Sequence, residues 1–219
     1  MSTLEIGVFT SAGWGENAYL VRGVGQEHAV AIDPGGATPE LVAVLEREGM
    51  RLDAVVLTHA HVDHIEGVAL LVRATGAPVY VHPGERNWYA RAADQARFFG
   101  VDLEEPPSPD RELQAGDVLV LGGTRLEVRH VPGHTPGHVI LYDAVAEVAF
   151  VGDVVFQGSI GRTDLPGGSH KQLLEAIRSQ VLTLPDATVL YPGHGPETTV
   201  GRERVGNPFL VPMYGGGLA

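Results

Sequence analysis

The run Ala54-Val55-Val56-Leu57 is short, apolar and β-branched at its centre, and it passes directly into Thr58-His59-Ala60-His61-Val62-Asp63-His64. A run of this kind reads as a buried strand, so the polar cluster begins where a strand ends. In an extended segment side chains two apart share a side, which puts His59 and His61 together, while Asp63 and His64 follow at the turn and can face elsewhere. With the isolated His134, Asp153 and His194 the chain offers seven metal ligands, enough for two adjacent ions. The fold must therefore be one in which strand ends deliver ligands to a common place.

Neutral imidazole and carboxylate suit zinc first, with iron or manganese as alternatives. The chain has no cysteine, which excludes thiolate cages and iron–sulfur clusters. Structural zinc sites are usually closed by cysteines, so a His/Asp set points to catalysis. Ordinary surface histidines near a turn are a poor alternative, because three His and one Asp fall within the six residues 59–64. A formal charge of −12 argues against general attraction to nucleic acid or anionic membranes. No apolar run approaches the roughly 20 residues a membrane span requires. Met1-Ser2-Thr3-Leu4-Glu5 lacks a basic region followed by an apolar core, so a cytoplasmic protein is expected. A length of 219 residues fits one domain spanning 1–219, and a homo-oligomer is compatible with it.

Short β-like runs at 6–10, 18–21 and 29–33 lead into the turn Asp33-Pro34-Gly35-Gly36. A helix follows, with Thr38 as N-cap, Pro39 at its first position, an apolar stripe of Leu41, Val42, Val44 and Leu45, and Gly49 as terminator. After His64 an apolar helical stretch runs to Gly76, then a strand at 79–81, a helix over 84–98 and a Pro-rich surface connector at 104–109. The second half repeats this logic: β-like runs at 118–121, 125–131, 138–143 and 147–151, and a Gly-rich loop at 158–168. A helix with Ser169 as N-cap and Gln172 completing a capping box follows, then a last strand at 188–191. Two halves that each end strands in ligands suggest a two-sheet sandwich flanked by helices.

Five ordered motifs give a family resemblance: Asp33-Pro34-Gly35-Gly36, Thr58-His59-x-His61-x-Asp63-His64, Pro132-Gly133-His134-Thr135-Pro136-Gly137-His138, Gly152-Asp153 and Pro192-Gly193-His194-Gly195. Together they resemble the metallo-β-lactamase superfamily. The resemblance implies an α/β (α+β) fold, the four-layer αββα sandwich, with His59, His61 and His134 on one metal ion, Asp63, His64 and His194 on a second, and Asp153 bridging. Two divalent ions about 3.5–4 Å apart can share a bridging carboxylate and a bridging hydroxide, which supplies both a nucleophile and a Lewis acid.

The segments 150–168 and 191–199, with Gly201-Arg202-Glu203-Arg204 and Asn207-Pro208-Phe209, are similar to the short bacterial glyoxalase II-type hydrolases. That similarity implies a hydroxyacylglutathione hydrolase-like thiolesterase whose partner is a small-molecule thioester, S-D-lactoylglutathione or a related hydroxyacyl thioester. Attack by a metal-bridging hydroxide would be assisted by Asp63. Only 25 residues follow His194, so a separate C-terminal helical domain for holding glutathione is not expected. Arg162 is then the candidate to meet a substrate carboxylate, against a structural role in pairing with Asp164. The alternative activity is a mononuclear iron persulfide dioxygenase using His59, His134 and Asp153; it resembles the chain around Gly161-Arg162-Thr163-Asp164 and Asn207-Pro208 but matches less well at Ser159-Ile160 and Gly193–Glu197.

Asp33 is expected either to accept a hydrogen bond from a ligand histidine or its backbone or only to form its turn, Thr58 is expected to have a hydroxyl partner behind the same ligands, and His138 is either such a support or a packed core residue. Asn17 and Tyr19 read as turn and strand residues, Trp14 as part of a flap, and Trp88 and Tyr89 as helix packing. His28, His82, His130 and His170 are left outside the site. The glycine-rich 214–219 is expected to fray.

Overall fold

A computed structural model describes residues 3–211, and the expectation for 214–219 lies outside the described residues. One six-stranded sheet runs in the order β1 (Leu4–Thr10), β2 (Asn17–Gly23), β3 (His28–Ile32), β4 (Arg51–Val56), β5 (Val79–Val81), β6 (Arg111–Glu112). The second sheet comprises β7 (Val118–Leu121), β8 (Thr124–His130), β9 (Val139–Asp143), β10 (Val148–Gly152), β13 (Val189–Pro192) and β14 (Thr198–Thr199). Its order is β14-β13-β10-β9-β8-β7, and a hairpin of β11 (Val155–Phe156) and β12 (Ser159–Ile160) projects beside it. The helices are α1 (Thr38–Glu48), α2 (Val62–Ile65), α3 (Val68–Thr75), α4 (Arg86–Tyr89), α5 (Ala92–Phe99), α6 (His170–Ala176) and α7 (Val200–Gly206).

The period-2 alternation of a strand sorts its residues into separate cores. Val55 and Leu57 face Leu41, Leu45, Val68 and Leu71 of α1 and α3. Their neighbours Ala54 and Val56 face the opposite way and pack with Val128, Leu141 and Phe150 of the other sheet. Ile140, Ala149 and Val151 form a third core with Leu173, Leu174 and Ile177 around α6. Three apolar layers between four structural ones make the αββα sandwich, and strands buried on both faces explain why 54–57 reads as continuously apolar.

Parallel pairing places the ligand segments. β3 runs parallel to β4 with Ile32 beside Val56, so Asp33 and Thr58 leave the sheet at the same edge. β10 runs parallel to β13 with Gly152 beside Pro192, so Asp153 and His194 do likewise.

Two local expectations change. Ala37 rather than Thr38 is the N-cap of α1, because the Thr38 hydroxyl donates to the Gly35 carbonyl (2.7 Å) and serves the preceding turn. The expected helix 84–98 is broken into a 3₁₀ turn at Pro83–Glu85, α4 and α5. The Trp88 carbonyl accepts from Gln95 Nε2 (2.9 Å) and from Arg91 N (3.1 Å), which closes α4 before α5 starts. Ser169 caps α6 as expected, accepting from Gln172 N. Among the described residues no helix is long and apolar enough to cross a membrane.

Candidate metal centre

Leu57 is fully buried, and a non-helical segment leads from it through a bend at Thr58 to the extended His61, after which α2 opens. Asp63 and His64 sit in that single helical turn rather than in an open turn. The loop between β8 and β9 carries His134, Asp153 follows β10, and His194 follows β13. All seven residues converge at one sandwich edge. His61 Nδ1 lies 2.9 Å from His134 Nε2, and His59, His61 and His134 each present a ring nitrogen within 4.8 Å of the others. Asp63, His64 and His194 form a second group on the same criterion. Asp153 lies between them, with Oδ1 3.4 Å from His64 Nε2 and Oδ2 3.6 Å from His134 Nε2 and 3.7 Å from His194 Nε2.

These atoms fit divalent cations. Among the described residues His59 Nε2, His64 Nε2 and Asp153 Oδ1 are buried without a hydrogen-bond partner. An orphaned buried polar atom costs about 1–3 kcal/mol, and lone pairs clustered this way are what a hard-to-borderline cation requires.

Titration follows the same logic. Burial holds the His61 imidazole down at about 3, reinforced by His134. Burial also lowers His59 and His134. At the second group burial opposes charge but carboxylates outweigh it: His64 is raised well above its ordinary value by Asp63 and Asp153, and His194 is raised by Asp63. Conversely, burial pushes Asp153 up, yet His64, His134 and His194 drive it far below the carboxylate range. The first group thus offers neutral imidazoles, and the second holds protons that a bound cation would displace.

Supporting contacts fix the geometry. Asp33, buried at positive φ, accepts from Thr58 N (2.7 Å), from Thr58 Oγ1 (2.6 Å) and from His64 Nδ1 (3.1 Å). Thr58 Oγ1 is 3.1 Å from His59 Nδ1, so one carboxylate orients a histidine in each group. His134 Nδ1 donates to the Arg162 carbonyl at 2.8 Å. His138 is fully buried, stacks on His59 at 4.7 Å and accepts from Asp153 N at 3.1 Å, which makes it a support rather than a bystander. Gly193 has to be glycine, since a Cβ there would stand 2.3 Å from Asp153 Oδ1 and 2.6 Å from His64 Cε1. Gly152, at φ +46, would carry a Cβ 2.3 Å from Thr58 Oγ1.

Several positions exceed the expectation from sequence. Asn17 Nδ2 donates to the Pro192 and Gly195 carbonyls (3.1 and 2.9 Å) and Tyr19 Oη donates to Pro192 (2.6 Å), so both pin the His194 loop instead of serving only their own strand. Buried Glu85 accepts from Ala60 N (2.9 Å) and Gly137 N (2.7 Å), tying the two ligand loops together. Gln95 holds Val62 N and the Ala60 carbonyl. Glu16, fully buried under the ligand loop, is raised well above the carboxyl range by burial, with Asp33, Asp63 and Asp153 adding to the effect. Partners 25 to 178 positions away leave no local signal.

Above the cluster opens a cavity of ≈ 700 Å³ lined by Asp63, His134, Asp153 and His194 together with Trp14, Trp88 and Arg162. Trp88, expected only to pack its helix, meets His61 edge-on at 4.7 Å. Trp14, expected in a flap, is anchored by Nε1 donating to Glu66 Oε2 at 3.3 Å. The Arg162 side chain is bidentate to Asp164 (2.7 and 2.8 Å) and reaches none of the seven ligands.

Fold and centre agree with the family match. The chain belongs to the metallo-beta-lactamase superfamily, whose model matches residues 12–194. Hydroxyacylglutathione hydrolase GloC of Haemophilus influenzae is 38% identical over 187 residues, covering 84% of this chain and 88% of that protein. The crystal structure of BLEG-1 B3 metallo-beta-lactamase superposes with a TM-score of 0.87 at 40% identity, covering 94% of this chain and 100% of that one. TTHA1623, solved in a di-iron-bound form, superposes with a TM-score of 0.83 at 44% identity, covering 92% and 99%. These similarities place the protein among the metallo-hydrolases.

Proposed function

We propose that the protein hydrolyses thioesters, taking a hydroxyacyl thioester such as S-D-lactoylglutathione or a chemical relative. His59, His61 and His134 would hold one divalent ion, Asp63, His64 and His194 a second, and Asp153 both. The observation that carries this reading is the placement of Asp153 between two ligand groups at the floor of one cavity. The relative named hydroxyacylglutathione hydrolase supports the thioester class. Zinc suits the donors, and the di-iron neighbour supports testing iron beside it. When bound, two such ions supply a nucleophilic water at neutral pH and polarise a carbonyl oxygen.

The chain's own groups do the rest. Asp63 is partly exposed to the cavity with Oδ2 3.2 Å from His194 Nε2, and it is kept ionised: burial raises its pKa, but His64 and His194 lower it further. It would accept a proton from the attacking water. The water oxygen joins the thioester carbon, the C–S bond breaks, and the departing thiolate takes up the proton that Asp63 accepted, which restores the carboxylate. The chain has no cysteine, so no protein thiol can act as nucleophile. Arg162 would meet a substrate carboxylate by exchanging it for Asp164. Asp153→Ala tests the assignment: metal content should fall to one ion or fewer and thioester turnover by about 10³-fold or more, on the scale of a lost main catalytic element. Retained turnover with two ions bound would refute the site.

A further inference from the structure

Five aromatic rings, Trp14, Trp88, Phe98, Phe99 and Phe156, line the cavity above the ligands, and none of them is needed for holding metal. Trp88 touches His61, Phe99 meets Trp14 edge-on at 5.4 Å, and Phe98 meets Phe99 edge-on at 5.0 Å. Across the opening Phe156 approaches His194 at 6.1 Å, with Ile160 beside it. Phe98 and Phe99 do not belong to the core. The residues α5 buries are Ala92, Gln95 and Ala96, while Phe98 is 81% exposed and Phe99 43% exposed. Scattered surface phenylalanines need no explanation, but adjacent rings lining the cavity that holds the reacting centre do. Their position is fixed at both ends. Gly100 closes α5 in the left-handed conformation, and Gln95 of the same helix is hydrogen-bonded to the ligand loop at Val62 and Ala60.

The charges in the cavity point the same way. Its lining cations are Arg91 and Arg162, and each already has a carboxylate: Asp94 at 3.2 Å and Asp164 at 2.7 Å. A tripeptide thiol with two free carboxylates would have to displace both of these partners, on a protein whose formal charge is −12. An aromatic or aliphatic group, in contrast, gains from every ring in the wall.

Building on the thioester reading, we propose that this wall is a specificity subsite, and that the preferred substrates are thioesters carrying a ring or medium-length hydrocarbon chain on the acyl or the thiol side. Hydrolysis yields the carboxylate and the free thiol, and water is the only co-substrate.

The test uses the metal-loaded protein and matched thioesters. Phenylacetyl-N-acetylcysteamine varies the acyl side, S-benzyl thioacetate varies the thiol side, and acetyl-N-acetylcysteamine is the common reference; S-D-lactoylglutathione is run beside them. One of the ring-bearing substrates should exceed the reference in kcat/KM by about tenfold or more, the value of burying one phenyl group, and which one does so assigns the side. Phe98→Ser, at an exposed position, should cut that preference severalfold, mainly through KM. The chain's two tryptophans, Trp14 and Trp88, both line the cavity, so quenching by the non-hydrolysable thioether S-benzyl-N-acetylcysteamine reports occupancy independently of turnover. Equal kcat/KM across the panel, a preference untouched by Phe98→Ser, or S-D-lactoylglutathione as the best substrate would overturn the subsite while leaving thioester hydrolysis standing. Thioether binding weakened by Phe98→Ser, with no thioester turned over, would uphold an apolar subsite and defeat the thioester reading.

Discussion

Asp33→Asn separates the folding role of the turn before α1 from its support of the metal centre. Asparagine has nearly the same shape and tolerates the left-handed backbone at φ +48. What changes is that one of two acceptor oxygens becomes a donor. With the remaining oxygen kept on Thr58 N, the new amide faces Thr58 Oγ1 and His64 Nδ1, where Asp33 Oδ2 accepted at 2.6 and 3.1 Å. His64 can present the Nε2 lone pair to an ion only with its proton on Nδ1, so donor meets donor. A hydrogen bond to a charged acceptor is worth about 1.5–3 kcal/mol. Loss of such a support behind a metal histidine typically weakens metal binding about 10–100-fold, or about 1.4–2.8 kcal/mol at 1.4 kcal/mol per factor of ten. Competition against a chromophoric chelator should show that loss for the more weakly held ion, with a native circular-dichroism spectrum. Unchanged affinity for both ions alongside a lowered Tm would reduce Asp33 to a turn former.

Two further outcomes follow from the geometry. His82 stacks on His130 at 4.4 Å, and burial, reinforced by His130, lowers it to about 4 from 6.5. Because the unfolded chain takes up this proton first, the His82 contribution is intact above about pH 6.5 and declines as pH falls towards 4. His82→Asn keeps a side-chain acceptor for Gly84 N, so thermal melts should show the variant losing less Tm than the parent between pH 7 and 4.5; parallel profiles would contradict this, and the effect is reduced by the half-exposed position. Arg162→Ala should raise KM severalfold for thioesters bearing a carboxylate and leave neutral ones alone; an equal change in both would assign Arg162 to pinning its loop through Asp164.

The candidate ligands were legible as a cluster because the chemistry demands particular residue types and because strand ends group them: His59 to His64 fall in one segment, and His134, Asp153 and His194 each sit in a recognisable Gly-containing motif. The layers were legible from the apolar strands, from Gly49 ending α1 and from Ser169 capping α6. The supports held by long-range contact were not. Glu85, Gln95, Asn17 and Tyr19 act on backbone groups of distant loops, and such residues look ordinary beside their sequence neighbours. The break between α4 and α5 was hidden for a related reason: helical propensity runs through 84–98, but Gln95 reaches back to the Trp88 carbonyl and forward to the ligand loop. Trp88 before the break and the Phe98-Phe99 pair after it both line the cavity, and the aromatic wall was invisible too.

The central claim is tested most directly by titrating metal-stripped protein with zinc, and separately with iron, while following thiol release from a thioester. The chain contains no cysteine, so a thiol reagent sees only product. Turnover should rise with added metal and reach its plateau at two equivalents. Full activity at one equivalent of iron accompanied by oxygen uptake on a persulfide, or no thiol release with two ions bound, would contradict that claim.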